Sequence, residues 1–431
     1  MFSIVGSQVA IRAEDFLILL LSFFLAVVLP KYWPQIKKDL VIKSILIYWL
    51  VGLLTIISGV WVTQTTSLPL SFLHWARRVE YMIPFIAAAV LATKKENIRF
   101  FTQLLLPIAL AVWGYALAQI YLQAPVISTQ NEEFSKGVAL TLQPGVNISS
   151  TFAGHYDLAG YLVATLTIIL GLTLVHKRQN WKFITLIALL PLFWLLLQTG
   201  SRIAFGASLL AIPAVLVLNR RPLWIIPIIL IALIGAANTP QLIGRFGNVV
   251  RIIQFQTIQE KIKGVWDSRG EIFAPILAAE TVPGLPPTVT PTPTATPTET
   301  LRPLQQDRST SIRLDVEWPR ALRALTKNPF LGTGYASISL ATDNDYLRAL
   351  GETGLLGFIA WGSIILAIGA SLIRLLRSQT GLQFGYASGV CGMVISFLII
   401  AAFIDVFEAS KNATLFWMYT GLANGILWQK K

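Results

Sequence analysis

The feature that most constrains this chain is its succession of long apolar runs. Eleven stand out, at about 16–31, 44–62, 80–93, 101–122, 157–175, 183–198, 203–219, 222–237, 346–372, 383–404 and 413–428. A helix of about 20 apolar residues spans the hydrocarbon core of a bilayer. No water is available there for backbone amides, so a spanning segment must satisfy them within its own helix. Charged residues make up only 13% of the 431 residues, about half the share usual in soluble chains. The sequence therefore predicts an all-α polytopic membrane protein with about eleven transmembrane helices, within a range of ten to twelve. The second and third runs fit tilted spans or spans that re-enter at their ends. Residues 1–15 lack a basic stretch followed by an apolar core, so the first run is expected to be retained rather than removed as a signal.

The net charge of +13 is explained by the way the connections sort. Alternate short connections hold sixteen basic residues in one set, including Lys37, Lys38, Lys94, Lys95, Arg178 and Arg221, against six in the other. The positive-inside rule places the richer set in the cytoplasm. The N-terminus is then expected outside, the C-terminus inside, and the two long segments 123–156 and 238–345 on the external face. A nucleic-acid partner is not implied. The expected division is eight transmembrane helices in 1–237, one large external loop in 238–345 and three helices in 346–431.

Within the large loop, Thr288–Thr300 alternates proline and threonine. Such a segment cannot build a core and favours extended polyproline II geometry, so it reads as a spacer. Residues 315–328 fit a short amphipathic helix. Pro319 suits its first turn, and Arg320, Arg323 and Lys327 fall on one face. That face suits either phosphates at a membrane surface or plain solvation. The single Cys391 excludes a disulfide or a cysteine-based metal site within the chain. The three histidines are far apart in sequence, and no Walker A or dinucleotide-binding fingerprint is present. No metal or cofactor is expected.

Candidate chemistry concentrates toward the external side. Arg202 sits at the outer end of a hairpin between two spans. A guanidinium at that depth needs a partner, and its planar fork matches two phosphate oxygens; a snorkelling interfacial arginine would look the same. Arg308 and Arg313 precede the basic helix, and three converging guanidinium groups could hold a diphosphate and stabilise it as it departs. Asp343-Asn344-Asp345-Tyr346 opens the ninth span. Asp343 or Asp345 fits an N-cap or a general base facing a hydroxyl. Arg348 and Glu352 fit an i,i+4 ion pair. Gly332, Gly334, Gly354 and Gly357 fit turns or close packing more readily than a phosphate cradle. His155 and Asp157 open the fifth span and fit sugar binding or helix capping.

At these residues the chain resembles the superfamily of O-antigen ligases and O-antigen polymerases. Thr199-Gly-Ser-Arg202-Ile-Ala is similar to its T-x-S-R-x-A signature. Arg313 with Trp318, followed by Asn328-Pro-Phe-Leu-Gly-Thr-Gly334, resembles its arginine, tryptophan and N-P-x-x-G-x-G run. Asp343-Asn344-Asp345-Tyr346-Leu347, then Glu352-Thr-Gly-Leu-Leu-Gly357, is similar to H-N-x-[YF]-L followed by E-x-G-L-[LI]-G. Gly154-His155-Tyr-Asp157 resembles the opening of a middle span. The resemblance implies a GT-C-like membrane glycosyltransferase without nucleotide sugar or metal. It would move a glycan from a polyprenyl-diphosphate carrier to a glycan, lipid or protein acceptor, at the external face of the cell membrane. Asp343, Arg313 and Arg202 would be catalytic. Arg308, His155, Asp157, Asn344, Tyr346 and Arg320 would bind substrate. The chain departs from the pattern in carrying Asp343 where ligases often have histidine, and in the proline-threonine insertion. A transporter or flippase is the alternative, although its polar groups would be expected near the bilayer midplane on broken helices. A surface-anchored binding protein is a third reading, disfavoured by so many spans for one loop.

Overall fold

The structure, a computed structural model, describes residues 13–126, 147–239, 313–338 and 342–429. The chain divides into two compact units, one of Met1–Ile243 with Arg313–Lys431 and one of Gly244–Ile312. The second lies outside the described residues, as do Arg308 and the spacer Thr288–Thr300.

Each of the eleven apolar runs forms a helix. In chain order these are α1 (Ala13–Ile36), α2 (Leu40–Ile57), α3 (Leu68–Leu91), α4 (Lys95–Tyr121), α5 (His155–Val175), α6 (Gln179–Gln198), α7 (Arg202–Leu218) and α8 (Ile225–Ala237). After the loop come the short α9 (Trp318–Lys327), then α10 (Asp345–Ser378), α11 (Gly381–Ile400) and α12 (Ser410–Ile426). No strand occurs among the described residues. Seven of the helices (α1, α2, α4, α5, α6, α10 and α11) are long and apolar enough to cross a membrane, while α7 and α8 are shorter apolar helices. α3 is long, but between residues 74 and 80 it carries His74, Arg77, Arg78 and Glu80.

Lipid exposure and burial separate the helices. In the most apolar stretch of α5, 83% of residues are buried inside the protein, against 6% in α1. α5 is therefore the central post, and α1 lies at the periphery with Phe16, Leu19, Leu20 and Phe23 exposed. With lipid as apolar as leucine, helix association relies on close van der Waals contact at small residues. α11 supplies Gly385, Gly389 and Gly392, where a β-carbon would strike α5 at Gly171, Ile168 and Thr167. α12 supplies Gly421 and Gly425 against the α3 backbone at Phe85 and Ala89.

α10 is not one continuous helix. Gly354 has φ 64° and ψ −169°, a left-handed conformation that side chains disfavour. The break frees backbone groups that need partners in an apolar setting. The segment 328–335 fills it: Thr333 N donates to Gly351 O at 3.1 Å, Gly334 N to Glu352 O at 2.9 Å, and Leu355 N and Leu356 N donate to Pro329 O and Phe330 O at 2.8 and 3.1 Å. Ser58, where α2 runs into a π-helical turn (Ser58–Val62), donates to Gly332 O at 2.6 Å and accepts from Asn328 Nδ2 at 2.8 Å. The N-P-x-x-G-x-G and E-x-G-L-L-G motifs are thus two halves of one joint, as their turn and packing reading predicts.

Candidate functional site

The N-termini of α5, α7 and α10 lie at one end of the bundle. α11 fixes this register, because Asn219 at the far end of α7 donates to Ser388 early in α11 at 2.8 Å. Gly171, near the far end of α5, packs on Gly385. At the opposite end of α11, Asp345 N donates to Ala401 O at 2.8 Å, and Asn412 Nδ2 donates to Asp157 O at 3.0 Å.

Arg313 and Asp343 meet at this end. Arg313 Nε donates to Asp343 Oδ2 at 2.9 Å. Nη2 lies 2.8 Å from the same oxygen, an ion-pair contact without hydrogen-bond alignment. The arginine side chain is 8% exposed and the aspartate 30%, so a buried cation stands behind a carboxylate that reaches solvent. Asp343 Oδ1 accepts no hydrogen bond among the described residues. Burial raises the Asp343 carboxyl above the ordinary carboxylate value. Arg313 opposes that rise, Asp405 adds to it and Arg348 opposes it.

The other motif residues divide between surface and interior. Asn344 is the N-cap of α10, its Oδ1 accepting from Leu347 N at 3.0 Å, while its Nδ2 donates to Ala402 O at 3.0 Å. Tyr346 donates its hydroxyl to Leu398 O at 2.6 Å. Both side chains are spent on intramolecular bonds. Asp345 is buried and accepts from Phe407 N at 3.1 Å. Arg202 opens α7 beside the cap Ser201, whose hydroxyl accepts from Ala204 N. His155 opens α5 and packs against Tyr156 in a tilted ring pair with centroids 4.0 Å apart. Arg320 is half-buried on α9. That helix packs through Ala321 and Ala324 against Gly351, while Leu322, Arg323 and Lys327 face outward. Its basic face is therefore only partly solvated.

A second charged cluster lies just inside. Arg78 Nη2 contacts Glu352 at 2.9 Å and Glu408 at 2.5 Å, and its guanidinium sits 4.5 Å from the Tyr335 ring centroid. Arg348 Nη2 pairs with Asp405 Oδ2 at 3.0 Å. The expected i,i+4 pair is the weaker contact, with Arg348 and Glu352 4.0 Å apart; each has a closer partner from another element. Glu352, with its side chain 1% exposed, would be very costly as a lone charge in lipid. Tyr48, Arg78, Asp345, Trp361 and Glu408 line a small cavity beside it.

Sequence reading missed Arg78, Asp405 and Glu408. Arg78 is one of the six basic residues assigned by sequence to the poorer set of connections, yet it lies within α3. A signal was present. A buried arginine needs an acid, and the connection before α12, at the same predicted end, carries Asp405 and Glu408.

The fold and these clusters define a multi-pass α-helical membrane protein with an ionised site at one end of its bundle. Residues 187–362 match the family described as O-antigen ligase, the family whose motifs this segment resembles. The match runs from within α6 to the first half of α10, including Arg202, Arg313, Asp343 and Glu352, but not Arg78, Asp405 or Glu408. No curated protein matches the chain.

Proposed function

We propose that this protein transfers a glycan from a polyprenyl-diphosphate carrier to an acceptor hydroxyl on the external face of the cell membrane. The observation that carries the reading is the Arg313–Asp343 pair, a buried guanidinium in contact with a half-buried carboxylate inside the O-antigen ligase match. Asp343 Oδ1 accepts the proton of the acceptor hydroxyl. The hydroxyl oxygen bonds to the anomeric carbon from the face opposite the carrier, inverting it. The bond from that carbon to the diphosphate oxygen breaks, and the diphosphate leaves with the electron pair. Arg313, with Arg202, neutralises the developing charge. The raised Asp343 carboxyl suits a base better than a solvated aspartate, because base strength grows with pKa. In this reading His155, Asp157 and Arg320 contact substrate, while Asn344 and Tyr346 hold the start of α10. The acceptor is another lipid-linked glycan in a polymerase, or a lipid, wall polymer or protein hydroxyl in a ligase.

The break in α10 favours a second reading, since discontinuous helices form solute sites in transporters. One fact weighs against it: the freed backbone groups are taken up by 328–335 rather than left to hold a solute.

The test uses purified protein in liposomes with a polyprenyl-diphosphate-linked oligosaccharide, following released carrier diphosphate and glycan length by mass spectrometry. Release with longer lipid-linked glycans identifies a polymerase, and release with glycan on another acceptor identifies a ligase. Folded protein that moves the glycan across the bilayer without releasing diphosphate would establish transport instead.

A further inference from the structure

We infer that Asp405 is a positioning residue for Asp343, an inference that rests on Asp343 acting as the base. One Asp405 carboxylate brackets it. Oδ2 accepts from Thr342 N at 2.9 Å, and Oδ1 accepts from Asn344 N at 3.0 Å. These are the amides immediately before and after Asp343, which itself has φ 48°. A non-glycine residue in that left-handed region persists where its surroundings over-determine it. The bracket does so, and Arg348 Nη2 secures the bracket by donating to Asp405 Oδ2 at 3.0 Å.

The connection bearing Asp405 is itself anchored on several sides. Asn344 Nδ2 holds Ala402 O at 3.0 Å and Asp345 Oδ2 holds Phe407 N at 3.1 Å. Glu408 is fixed by Arg78 at 2.5 Å. Asp343 is thereby set against Arg313, with its second oxygen turned away from that contact. An asparagine at 405 cannot reproduce the bracket, because one of its two terminal atoms is a donor and would oppose an amide N–H. The charged groups facing Asp343 are Arg313 from the turn before α9, Arg348 from α10, and Asp405.

The experiment measures donor turnover in liposomes against pH for wild type, Asp405→Asn, Asp405→Glu and Asp343→Asn, with thermal unfolding of each. Misplacing a reacting group by about 1 Å costs about a hundredfold in rate. Asp405→Asn is therefore expected to lose about that factor in kcat, with KM for the donor unchanged. Its acid limb should move to lower pH, since the charge that helps hold Asp343 protonated is gone. Asp405→Glu keeps the charge but shifts the carboxylate, so kcat falls while the limb stays. If Asp405→Asn does not fold, Asp405→Glu carries the test. Wild-type kcat in either variant overturns the inference, and so does a loss in Asp405→Asn without movement of the limb, which marks a merely structural role. Wild-type turnover in Asp343→Asn overturns the base reading, and this inference falls with it. An inactive Asp343→Asn beside a fully active Asp405→Asn overturns the inference alone.

Discussion

At the residue scale, the pair Arg313–Asp343 sets two opposing influences on one carboxyl. Burial favours its neutral form and Arg313 favours the ionised form, with burial the larger. Weakening Arg313 should therefore raise the Asp343 pKa further. In Arg313→Gln, the residual activity should show its acid limb at higher pH than wild type, as a rate profile in liposomes would reveal. Arg313→Lys should lose most activity while unfolding at the wild-type temperature, because an ammonium cannot present the planar fork; full activity would remove Arg313 from the site. The linkage sign for stability follows from the same shift. A carboxyl whose pKa is raised on folding contributes stability that is fully present below the ordinary carboxylate range and lost as pH rises through the raised value. Asp343→Asn mimics the neutral form, so at neutral pH it should unfold no earlier than wild type although inactive. A clear drop in its unfolding temperature would show the ion pair to be net stabilising instead.

At the element scale, the joint between 328–335 and the break in α10 is held by backbone bonds and by the absence of side chains. A β-carbon on Gly354 would stand 2.5 Å from Phe330 C and from Gly332 N, at φ +64°. Gly354→Ala combines that overlap with a left-handed alanine, which costs about 1–3 kcal/mol by itself. A lowered unfolding temperature in detergent, with activity reduced in the fraction still folded, is the expected result. The Arg78–Glu352 contact ties α3 to the same joint. Arg78→Ala would leave Glu352 with only its 4.0 Å contact to Arg348 and take away the cation at Glu408, a loss of about 3–5 kcal/mol. Arg78→Ala combined with Glu352→Gln should recover part of it, and a double variant no more stable than Arg78→Ala would argue against their coupling.

At the scale of the whole molecule, the central α5 and α11 hold the N-termini of α5, α7 and α10 at one end of the bundle. Catalysis outside the cell requires that end to face outward, as the charge bias of the connections predicts. With Cys391 replaced by alanine, a single cysteine introduced at Ser410 should react with a membrane-impermeant thiol reagent in intact cells, and one at Lys431 only after permeabilisation. The reverse pattern would invert the topology and remove an external reaction. Deleting Thr288–Thr300 should leave turnover nearly unchanged, because a proline-threonine tract builds no core.

Helix positions, the membrane class and the family motifs were legible in the sequence because each is local. Apolar runs declare a helix wherever they stand, and Asn328–Gly334 and Glu352–Gly357 announce turns and close approach by their glycines. The motif order also put Arg313 and Asp343 in one segment, near enough in sequence to suggest a shared site. The partners of the buried charges were not legible in that way. Arg78 and Glu352 are 274 residues apart, and Asp405 reaches amides more than 55 residues earlier. Nothing in either local sequence names the other. Those pairings were decided only by the tertiary packing of α3, α10 and the connection before α12, since a charge withdrawn from water takes whichever opposite charge the fold brings beside it.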